Sequence, residues 1–476
     1  MNRKPELTTE QVEQLQELLA MDNDPEDEPA WTDGKTINET LFAEQFLKKY
    51  QLIYCERAFF SPDGRVSDPD LLRSRIFDEI SPYIVTNISR KVTNIVDVLK
   101  MSVFKESLPL ETDRIHLANG TLFLNGDFHE GKNAIVRSRL PVTFNANAPK
   151  PERWLCFLQE LFFEEDILTV QEYLGYCLLP LTKAQRMLII KGKGGEGKTQ
   201  FGTVVKAMFG CNAKDGSIVK LSENRFAPAD LEHILLMVDD DMKMDKLRDT
   251  SYVKRIVTSQ GLMDLERKNK QSYQGYMYAR LIAFSNGNLE ALYDKSDGFY
   301  RRQLMLTTKG RAPGRIDDPH ISEKMCRELE GILLWALQGL HRLIAQNYHF
   351  TESPRAIANR EYVKRDSNNV LQFLASEGYF CFDPGSALSA SELYEIYLFW
   401  CDENAQPSLR KRSFSNYLVE NQESFGLVYD NNIKNASGRR VWGFHGIRAL
   451  IDPRIENNRY YRSRTYVPNV PRDTEN

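Results

Sequence analysis

The residues most able to do chemistry form a glycine-rich loop at 192–199, which reads Gly-Lys-Gly-Gly-Glu-Gly-Lys-Thr. This loop matches the phosphate-binding pattern G-x-x-x-x-G-K-[ST] and joins a predicted buried strand to a predicted helix. Glycines allow successive backbone N–H groups to face one anion. We therefore expect a nucleoside triphosphate with Mg²⁺, in which Lys198 reaches the β- and γ-phosphates and Thr199 holds the metal. The residues expected to bind it are Gly192, Gly194, Gly195, Glu196, Gly197, Lys198, Thr199 and Gln200.

Three consecutive carboxylates, Asp239, Asp240 and Asp241, directly follow an apolar run at 234–238. An acidic side chain at the carboxyl end of a strand beside such a loop can bind Mg²⁺, and its neighbour can orient the attacking water. We predict Asp239 and Asp240 as metal ligands, with Asp240 also catalytic, because both continue the strand directly. Whether Asp241 replaces Asp239 stays open, and a solvated acidic turn is the alternative interpretation.

Two further polar elements lie between residues 280 and 302. An apolar run at 280–284 ends in Ser-Asn, and the amide of Asn286 is predicted to contact the γ-phosphate or the attacking water, although these residues also suit a turn. Arg301 and Arg302 form a pair whose guanidinium groups suit the charge on a transferring phosphoryl group. Surface charge or an interface salt bridge is the alternative for this pair.

The elements predicted to position these residues are those of an α/β protein. Helices are predicted at 152–180, before the loop, and at 322–345, after the arginine pair. Between them, helical stretches separate short apolar runs, the spacing that a parallel sheet requires. These apolar runs lie at 186–190, 217–221, 234–238 and 280–284.

The region before the loop is predicted to hold a mobile segment and a second α/β domain. Residues 1–40 carry eleven acidic against three basic side chains, with a capping box at Thr8 and a charged, proline-containing linker at 22–29. Two Asn-Gly pairs bracket an alternating apolar run at 115–127, which predicts a β-hairpin. Helical patterns precede this hairpin at 41–50, 71–80 and 92–100.

The C-terminal region is predicted to read helix, helix, hairpin, an order that suits a winged helix-turn-helix. Residues 406–448 hold seven Lys and Arg against three Asp and Glu. A capping box at 389–392 opens one helix, the second lies at 408–421, and the strands lie at 427–429 and 441–444. An interaction or structural domain is the alternative to a duplex DNA-binding one. The residues predicted to contact DNA are Arg410, Lys411, Arg412 and Lys434.

Composition excludes several classes of protein. The net charge of −4 argues against a uniformly basic DNA-coating protein, so nucleic-acid contacts must be concentrated in one channel or module. Seven cysteines are dispersed without a C-x-x-C pair, which argues against a zinc ribbon or a thioredoxin-like site. The polar N-terminus lacks a signal-peptide pattern, and no apolar stretch reaches the roughly 20 residues that span a bilayer. We expect a cytoplasmic protein with no membrane partner.

Taken together, these motifs resemble superfamily 3 helicases, an AAA+ branch of P-loop NTPases. More narrowly, the chain resembles the helicase half of the phage and plasmid primase–helicase family related to the poxvirus primase-helicase. The resemblance covers roughly residues 100–450. Besides the four motifs it rests on Leu-Ala-Asn-Gly-Thr-Leu at 117–122, Leu-Pro at 140–141 and Gly-Ile-Leu-Leu-Trp-Ala-Leu-Gln-Gly at 331–339.

The resemblance implies a function and further residue roles. It implies an ATP-driven helicase or replication initiator of a mobile element, acting in a bacterial host. Arg301 and Arg302 would act as an arginine finger on the neighbouring subunit's ATP, which implies a homo-oligomeric ring, usually of six. Residues 266–271 would form a hairpin in the ring channel, where Lys268 and Lys270 grip single-stranded DNA. By position, Lys198 and Thr199 correspond to Walker A, Asp239 and Asp240 to Walker B, and Asn286 to the sensor asparagine.

The chain departs from this family in one respect. Family members often begin with a primase domain, whereas only about 100 residues precede the segment that carries the resemblance. The paired carboxylates at 22–24 and 68–70 lie in a linker and a turn, so primer synthesis is not expected. An AAA+ assembly switch that hydrolyses ATP without unwinding DNA is the alternative function, and a small-molecule kinase or GTPase ranks behind it. The expected domains are 1–40, 41–150, 151–348, 349–450 and 451–476.

Overall fold

A computed structural model describes residues 29–242, 250–259, 261–286, 297–366, 368–434 and 438–452. The predicted helix after Thr8, most of the linker at 22–29 and most of the tail at 451–476 lie outside these residues. Contacts divide the described chain into two compact units. The first contains residues 29–242, 250–286 and 302–356, and the second contains 297–301 and everything described from 357 onward.

The N-terminal part of the first unit confirms the three predicted helices, α1 (Glu39–Lys49), α2 (Pro69–Ile80) and α3 (Ile88–Ser102). Asn38 caps α1 by accepting a hydrogen bond from the Leu41 N–H, and Asp68 caps α2 in the same way. These helices pack around buried aromatic and aliphatic side chains such as Phe42 and Ile76. A small antiparallel sheet that was not predicted lies beside them: β1 (Ile53–Cys55), β2 (Ala58–Ser61) and β3 (Gly64–Arg65).

The hairpin predicted at 115–127 is confirmed as part of a three-stranded antiparallel meander. Its strands are β4 (Arg114–Leu117), β5 (Gly120–Phe123) and β6 (Phe128–Glu130). Each Asn-Gly pair stands where one strand turns into the next. Gly120 is required for packing, because a Cβ there would lie 2.3 Å from the His129 carbonyl oxygen.

A five-stranded sheet forms the centre of the first unit, and every neighbouring pair of its strands is parallel. Most of its strands are buried on both faces, which explains their apolar sequence; Leu188, Ile189 and Ile190 are all fully buried, whereas the edge strand at 213–215 is largely exposed. The strands are β7 (Met187–Lys191), β8 (Ala213–Asp215), β9 (Leu236–Met242), β12 (Arg280–Ser285) and β13 (Gln303–Thr307). Their order in the sheet is β13-β7-β12-β9-β8. An antiparallel hairpin, β10 (Gly261–Leu265) and β11 (Tyr273–Met277), precedes β12.

Helices cover this sheet and come very close to one another at two glycines. A Cβ at Gly339 would lie 2.3 Å from the Gln171 carbonyl oxygen, and one at Gly175 would lie 2.4 Å from the Ala336 oxygen. The two helices predicted at 152–180 are confirmed, whereas the one predicted at 322–345 is split in two. The helices are α4 (Glu152–Leu161), α5 (Glu164–Cys177), α6 (Lys198–Phe209), α7 (Ile218–Glu223), α8 (Ser251–Thr258), α10 (Ile321–Cys326) and α11 (Leu329–Ala345).

The strand predicted at 217–221 is wrong, because this segment is helix α7. Ser217 caps the helix by accepting a hydrogen bond from the Lys220 N–H at 3.4 Å. The buried carboxylate of Asp239 accepts a second from the Ile218 N–H at 2.7 Å. These two acceptors satisfy first-turn N–H groups, which favours a helix despite the β-branched residues.

The second unit confirms the predicted order of two helices and a hairpin. The capping box at Ser389 and Glu392 is present, and the strands at 428–434 and 440–449 pair antiparallel. A third strand, which was not predicted, pairs with the last one. The strands are β14 (Phe380–Ser389), β15 (Val428–Lys434) and β16 (Arg440–Ala449), in the sheet order β14-β16-β15. The helices are α9 (Asp297–Tyr300), α12 (Pro354–Asp366, whose first three residues belong to the first unit), α13 (Asn369–Leu374), α14 (Ala390–Glu403) and α15 (Lys411–Glu420).

Within the part of the chain that the structure describes, no helix combines the length and the apolar character that crossing a membrane requires.

Candidate functional site

The glycine-rich loop runs from the carboxyl end of β7 into the N-terminus of α6, which begins at Lys198. Gly194, Gly195 and Gly197 have φ values of +104°, +79° and +117°, a left-handed region that side chains disfavour. At Gly192 a Cβ would instead lie 2.5 Å from the Lys198 ammonium nitrogen, so a side chain there would displace that group. The loop backbone therefore requires glycine at 194, 195 and 197.

Lys198 links the loop to the neighbouring strand. Its side chain is almost completely buried, and its Nζ lies 2.9 Å from Oε2 of Glu196 and 3.3 Å from Oδ1 of Asn286. Asn286 directly follows β12, which pairs with β7. The parallel order of the two strands thus brings Lys198 and Asn286 together, as the motifs predict.

Glu196 has an arrangement that the sequence did not predict. Its buried carboxylate accepts hydrogen bonds from the backbone N–H groups of Lys193 and Gly194 and from the ammonium of Lys198. Burial alone opposes ionisation, but the Lys198 and backbone hydrogen bonds outweigh it and lower the pKa of Glu196 below its ordinary value. The loop's own anion therefore occupies donors that a bound phosphate would use.

A cavity of about 650 Å³ opens beside this loop at the carboxyl edge of the central sheet. Ligands of open parallel sheets bind at this edge. Thr199, Asp240, Asp241 and Asn286 all line the cavity, and Thr199 and both carboxylates are exposed in it. The remaining predicted binding residues that line it are Gly194, Gly195, Glu196, Gly197, Lys198 and Gln200.

Asp239 is not among the residues that line this cavity. Its side chain is buried on the other side of the strand, where it accepts the hydrogen bond from the Ile218 N–H, and burial raises its pKa. An irregularity in the pairing of β9 with β12 lies between Ala283, opposite Asp239, and Ser285, opposite Met242. Such a shift re-aims neighbouring side chains. The shift accompanies the exposure of both Asp240 and Asp241 at the cavity. In a regular strand, two consecutive side chains would point to opposite faces of the sheet.

Arg315 is a cavity residue that sequence reasoning missed. Its guanidinium donates hydrogen bonds to the carbonyl oxygens of Gly195 and Glu196, each at 3.1 Å, and also to the carboxylate of Asp317. Arg315 therefore holds the backbone of the glycine-rich loop from outside. Its surroundings, Arg-Ala-Pro-Gly-Arg at 311–315, read only as a turn, so no pattern in the sequence indicated this contact.

The two residues of the arginine pair belong to different units, Arg301 to the second and Arg302 to the first. Arg301 is exposed, whereas Arg302 is half-buried and its carbonyl oxygen accepts a hydrogen bond from the Met187 N–H at 2.8 Å. Of the two, Arg301 has the side chain that is available to another molecule.

The other predicted DNA-binding residues lie on exposed surfaces of their own units. Lys268 and Lys270 stand in the exposed turn between β10 and β11, in the first unit. In the second unit, Arg410, Lys411 and Arg412 are exposed at the N-terminus of α15, where Lys411 donates a hydrogen bond to the Ser391 hydroxyl at 2.7 Å. Lys434 is exposed at the end of β15.

Comparison with known proteins gives similarities to one family and to solved structures. Residues 190–302 match a family of unknown function, DUF5906. The apo structure of the NrS-1 C-terminal region (305–718) is similar with a TM-score of 0.53 and 14% identity, covering 86% of this chain and 99% of that one. A second structure, the A form of the apo NrS-1 C-terminal region, has a TM-score of 0.47 and 14% identity, covering 81% of this chain and 86% of that one. At this identity the first similarity shows a shared fold alone.

Proposed function

We propose that this protein is an ATP-driven, ring-forming DNA helicase of superfamily 3 that serves the replication of a phage, plasmid or similar mobile element. The observation that carries the proposal is the convergence of Lys198, Asn286 and the carboxylates of Asp240 and Asp241 on one cavity beside a glycine-rich loop. A parallel sheet with this loop at its carboxyl edge is the arrangement expected of an AAA+ core. The motifs in the sequence support the family assignment, and the residues that line the cavity support the proposed chemistry.

The donors at the cavity suit ATP with Mg²⁺. The hydroxyl of Thr199 and the carboxylates of Asp240 and Asp241 are exposed oxygen ligands, the kind that Mg²⁺ prefers. Bound Mg²⁺ would bridge phosphate oxygens and neutralise their developing charge. Lys198 would bind the terminal phosphates, and Asn286, within hydrogen-bonding distance of Lys198, would orient the attacking water.

We propose that Arg301 acts on a neighbouring copy and that the copies form a ring. The catalytic charge that a guanidinium supplies is commonly provided in trans. Arg301 is exposed, which suits a role at the cavity of a neighbouring copy. Hydrolysis would then move the turn that carries Lys268 and Lys270, two exposed cations suited to sequence-independent contacts with phosphates of one strand.

A winged-helix role for the second unit is supported by its order of elements and by its charge. Three cations, Arg410, Lys411 and Arg412, stand at the positive end of the α15 dipole, where cations are unfavourable without an anionic partner. Duplex DNA near an origin is the partner that we propose, because its phosphates would offset this charge.

The decisive experiment is ATP-dependent strand separation on forked DNA, with the particle mass measured under the same conditions. We expect unwinding by an oligomer and its loss in Lys198→Ala. Unwinding should be retained in Lys206→Ala, which changes a half-buried lysine of the same helix that pairs with Asp215 and does not line the cavity. ATP turnover with DNA binding but without strand separation would instead favour the assembly switch. A monomer that turns over ATP at the full rate would contradict the ring.

A further inference from the structure

A second cavity, of about 800 Å³, lies in the first unit away from the glycine-rich loop. Its walls are β2, β3, α2 and α3 on one side and β8, residues 229–234 and the base of the β10–β11 hairpin on the other. Seven Lys and Arg side chains line it, whereas only three carboxylates do. The seven include Arg57, Arg65, Lys100, Lys214 and Arg267. The cavity is therefore strongly cationic, although the chain as a whole is acidic.

The three carboxylates neutralise only part of this charge. Glu56 binds Arg137, which is not among the lining residues, through both of its oxygens. Glu232 accepts a hydrogen bond from Arg267 at 3.2 Å, and Asp230 lies 3.8 Å from Lys214. Each acid thus already faces a cation, and Lys100 pairs with Asp97 at 2.8 Å. The lining cations that have no carboxylate partner among the described residues are Arg57, Arg65, Arg73 and Lys270.

Arg65 is a lining cation with which no described carboxylate pairs; Glu232 acts on its charge only at longer range. Its guanidinium is half-buried and forms no hydrogen bond or salt bridge with any residue that the structure describes, and burial lowers its pKa. Nearby, the buried ring of His233 also leaves its Nδ1 without a hydrogen-bond partner among the described residues. A partly desolvated guanidinium is costly to maintain without an anion, so a ligand at this place would lower the free energy of the folded protein.

Aromatic and apolar groups accompany the charges. The flat guanidinium of Arg57 belongs to the cavity wall and stacks at 3.6 Å on the ring of Tyr273, which does not itself line the cavity. Tyr273 in turn donates a hydrogen bond to Glu232 at 2.6 Å. Phe59, Val66 and Leu72 provide apolar wall. Cations for phosphate beside flat and apolar surfaces for a base and sugar are the chemistry of a nucleotide site.

We propose that this cavity is a second phosphate site, which binds a nucleotide unit through Arg65 and Arg57. The unit is either a free nucleotide or one residue of a single DNA strand. Lys270 and Arg267 belong to both the cavity and the turn segment of the hairpin, so a strand held at that turn would reach the cavity without leaving the protein surface. That the bound unit belongs to a DNA strand rests on the proposed function, whereas the binding of a free nucleotide in this cavity does not.

The test measures binding to the full chain in a Lys198→Ala background and without ATP, so that it is independent of the glycine-rich loop. The probes are a fluorescein-labelled (dT)20 oligonucleotide, by anisotropy, and thymidine monophosphate, by calorimetry. The variant is Arg65→Met, and the matched control is Arg90→Met, which removes one exposed arginine from α3 outside the cavity. Arg65→Met leaves no described partner unpaired, so its melting temperature should not fall.

We expect Arg65→Met to weaken one probe by about tenfold, the loss of one charge-assisted contact. For the oligonucleotide, the slope of log K against log salt should also fall by about 0.7. Weakening of the oligonucleotide alone identifies a DNA strand, and weakening of the monophosphate identifies a free nucleotide. If neither probe responds, or if Arg90→Met weakens it equally, the site does not exist. If Arg65→Met does not fold, Arg57→Gln replaces it, and the same loss of binding is expected of that variant.

Discussion

Lys198 Nζ lies 2.9 Å from Oε2 of Glu196, so the lysine that is predicted to bind phosphate is already neutralised by its own loop. The same carboxylate accepts hydrogen bonds from the Lys193 and Gly194 N–H groups. An incoming phosphate must therefore exchange with Glu196 rather than enter a set of free donors. This exchange has a cost in binding, and it also keeps the buried ammonium paired in the empty protein.

Replacing Glu196 by alanine should therefore strengthen nucleotide binding. We expect the Kd for ADP without Mg²⁺ to fall by about tenfold, because the phosphate no longer competes with a charged hydrogen-bond acceptor. Calorimetry measures this directly. Glu160→Ala, which removes an exposed carboxylate from the same cavity, controls for general charge. Equal or weaker binding by Glu196→Ala would mean that the carboxylate supports the nucleotide-bound loop.

The buried position of Asp239 leads to a second prediction, which separates stability from catalysis. Asp239→Ala removes the acceptor of the Ile218 N–H and should lower the free energy of unfolding by about 1–3 kcal/mol. Asp240→Asn and Asp241→Asn change exposed groups and should leave stability unchanged while reducing Mg²⁺-dependent ATP turnover by about a hundredfold.

Urea denaturation and steady-state turnover, measured on the same preparations, test this division. Asp239→Asn is the informative control, because its amide oxygen can still accept the Ile218 hydrogen bond. If Asp239→Asn loses turnover as completely as Asp240→Asn does, Asp239 is a metal ligand after all.

Local sequence patterns were sufficient to predict much of the fold. The strands that became β7, β9 and β12, the helices of the N-terminal region and the capping box at Ser389 all follow from apolar periodicity and turn residues. The meeting of Lys198 with Asn286 also follows, since parallel neighbouring strands end at one edge. What these features share is that each depends on a few consecutive residues.

The features that sequence reasoning missed depend on distant partners. Segment 217–221 is a helix partly because Asp239, about twenty residues later, accepts its N–H group. The exposure of Asp241 beside Asp240 accompanies an irregular strand pairing that no local pattern encodes. Strand β14 contains Pro384 and Gly385, which read as a turn, and its pairing with β16 shifts register between Asp383 and Ala387.

Arg301 gives the prediction that tests assembly. Arg301→Ala should retain ADP binding within about twofold and lose most ATP turnover, because we propose that this exposed side chain acts at the cavity of a neighbouring copy. Mixing Arg301→Ala with Asp240→Asn should restore part of the turnover, since some interfaces then combine an intact cavity with an intact arginine. Mixtures as inactive as their separate components would contradict action in trans.

His233 gives a prediction about acid stability. Burial, followed by repulsion from Arg137 and Arg65, lowers the pKa of this imidazole to about 3. The unfolded chain binds a proton at His233 below about pH 6.5, whereas the folded protein does not, so the stability associated with the neutral ring is lost as the pH falls below 6.5. Between pH 6.5 and 5 this loss amounts to about 2 kcal/mol, at about 1.4 kcal/mol per pH unit for one proton.

His233→Asn should remove that loss, and asparagine tolerates the left-handed backbone at this position, where φ is +64°. Urea denaturation at pH 7.5 and pH 5 measures the difference in unfolding free energy, which should be about 2 kcal/mol smaller in the variant than in the natural protein. His129→Asn, at an exposed histidine, should change nothing. An unaltered pH dependence in His233→Asn would show that the acid sensitivity comes from other groups, because no other titrating group is removed by this substitution.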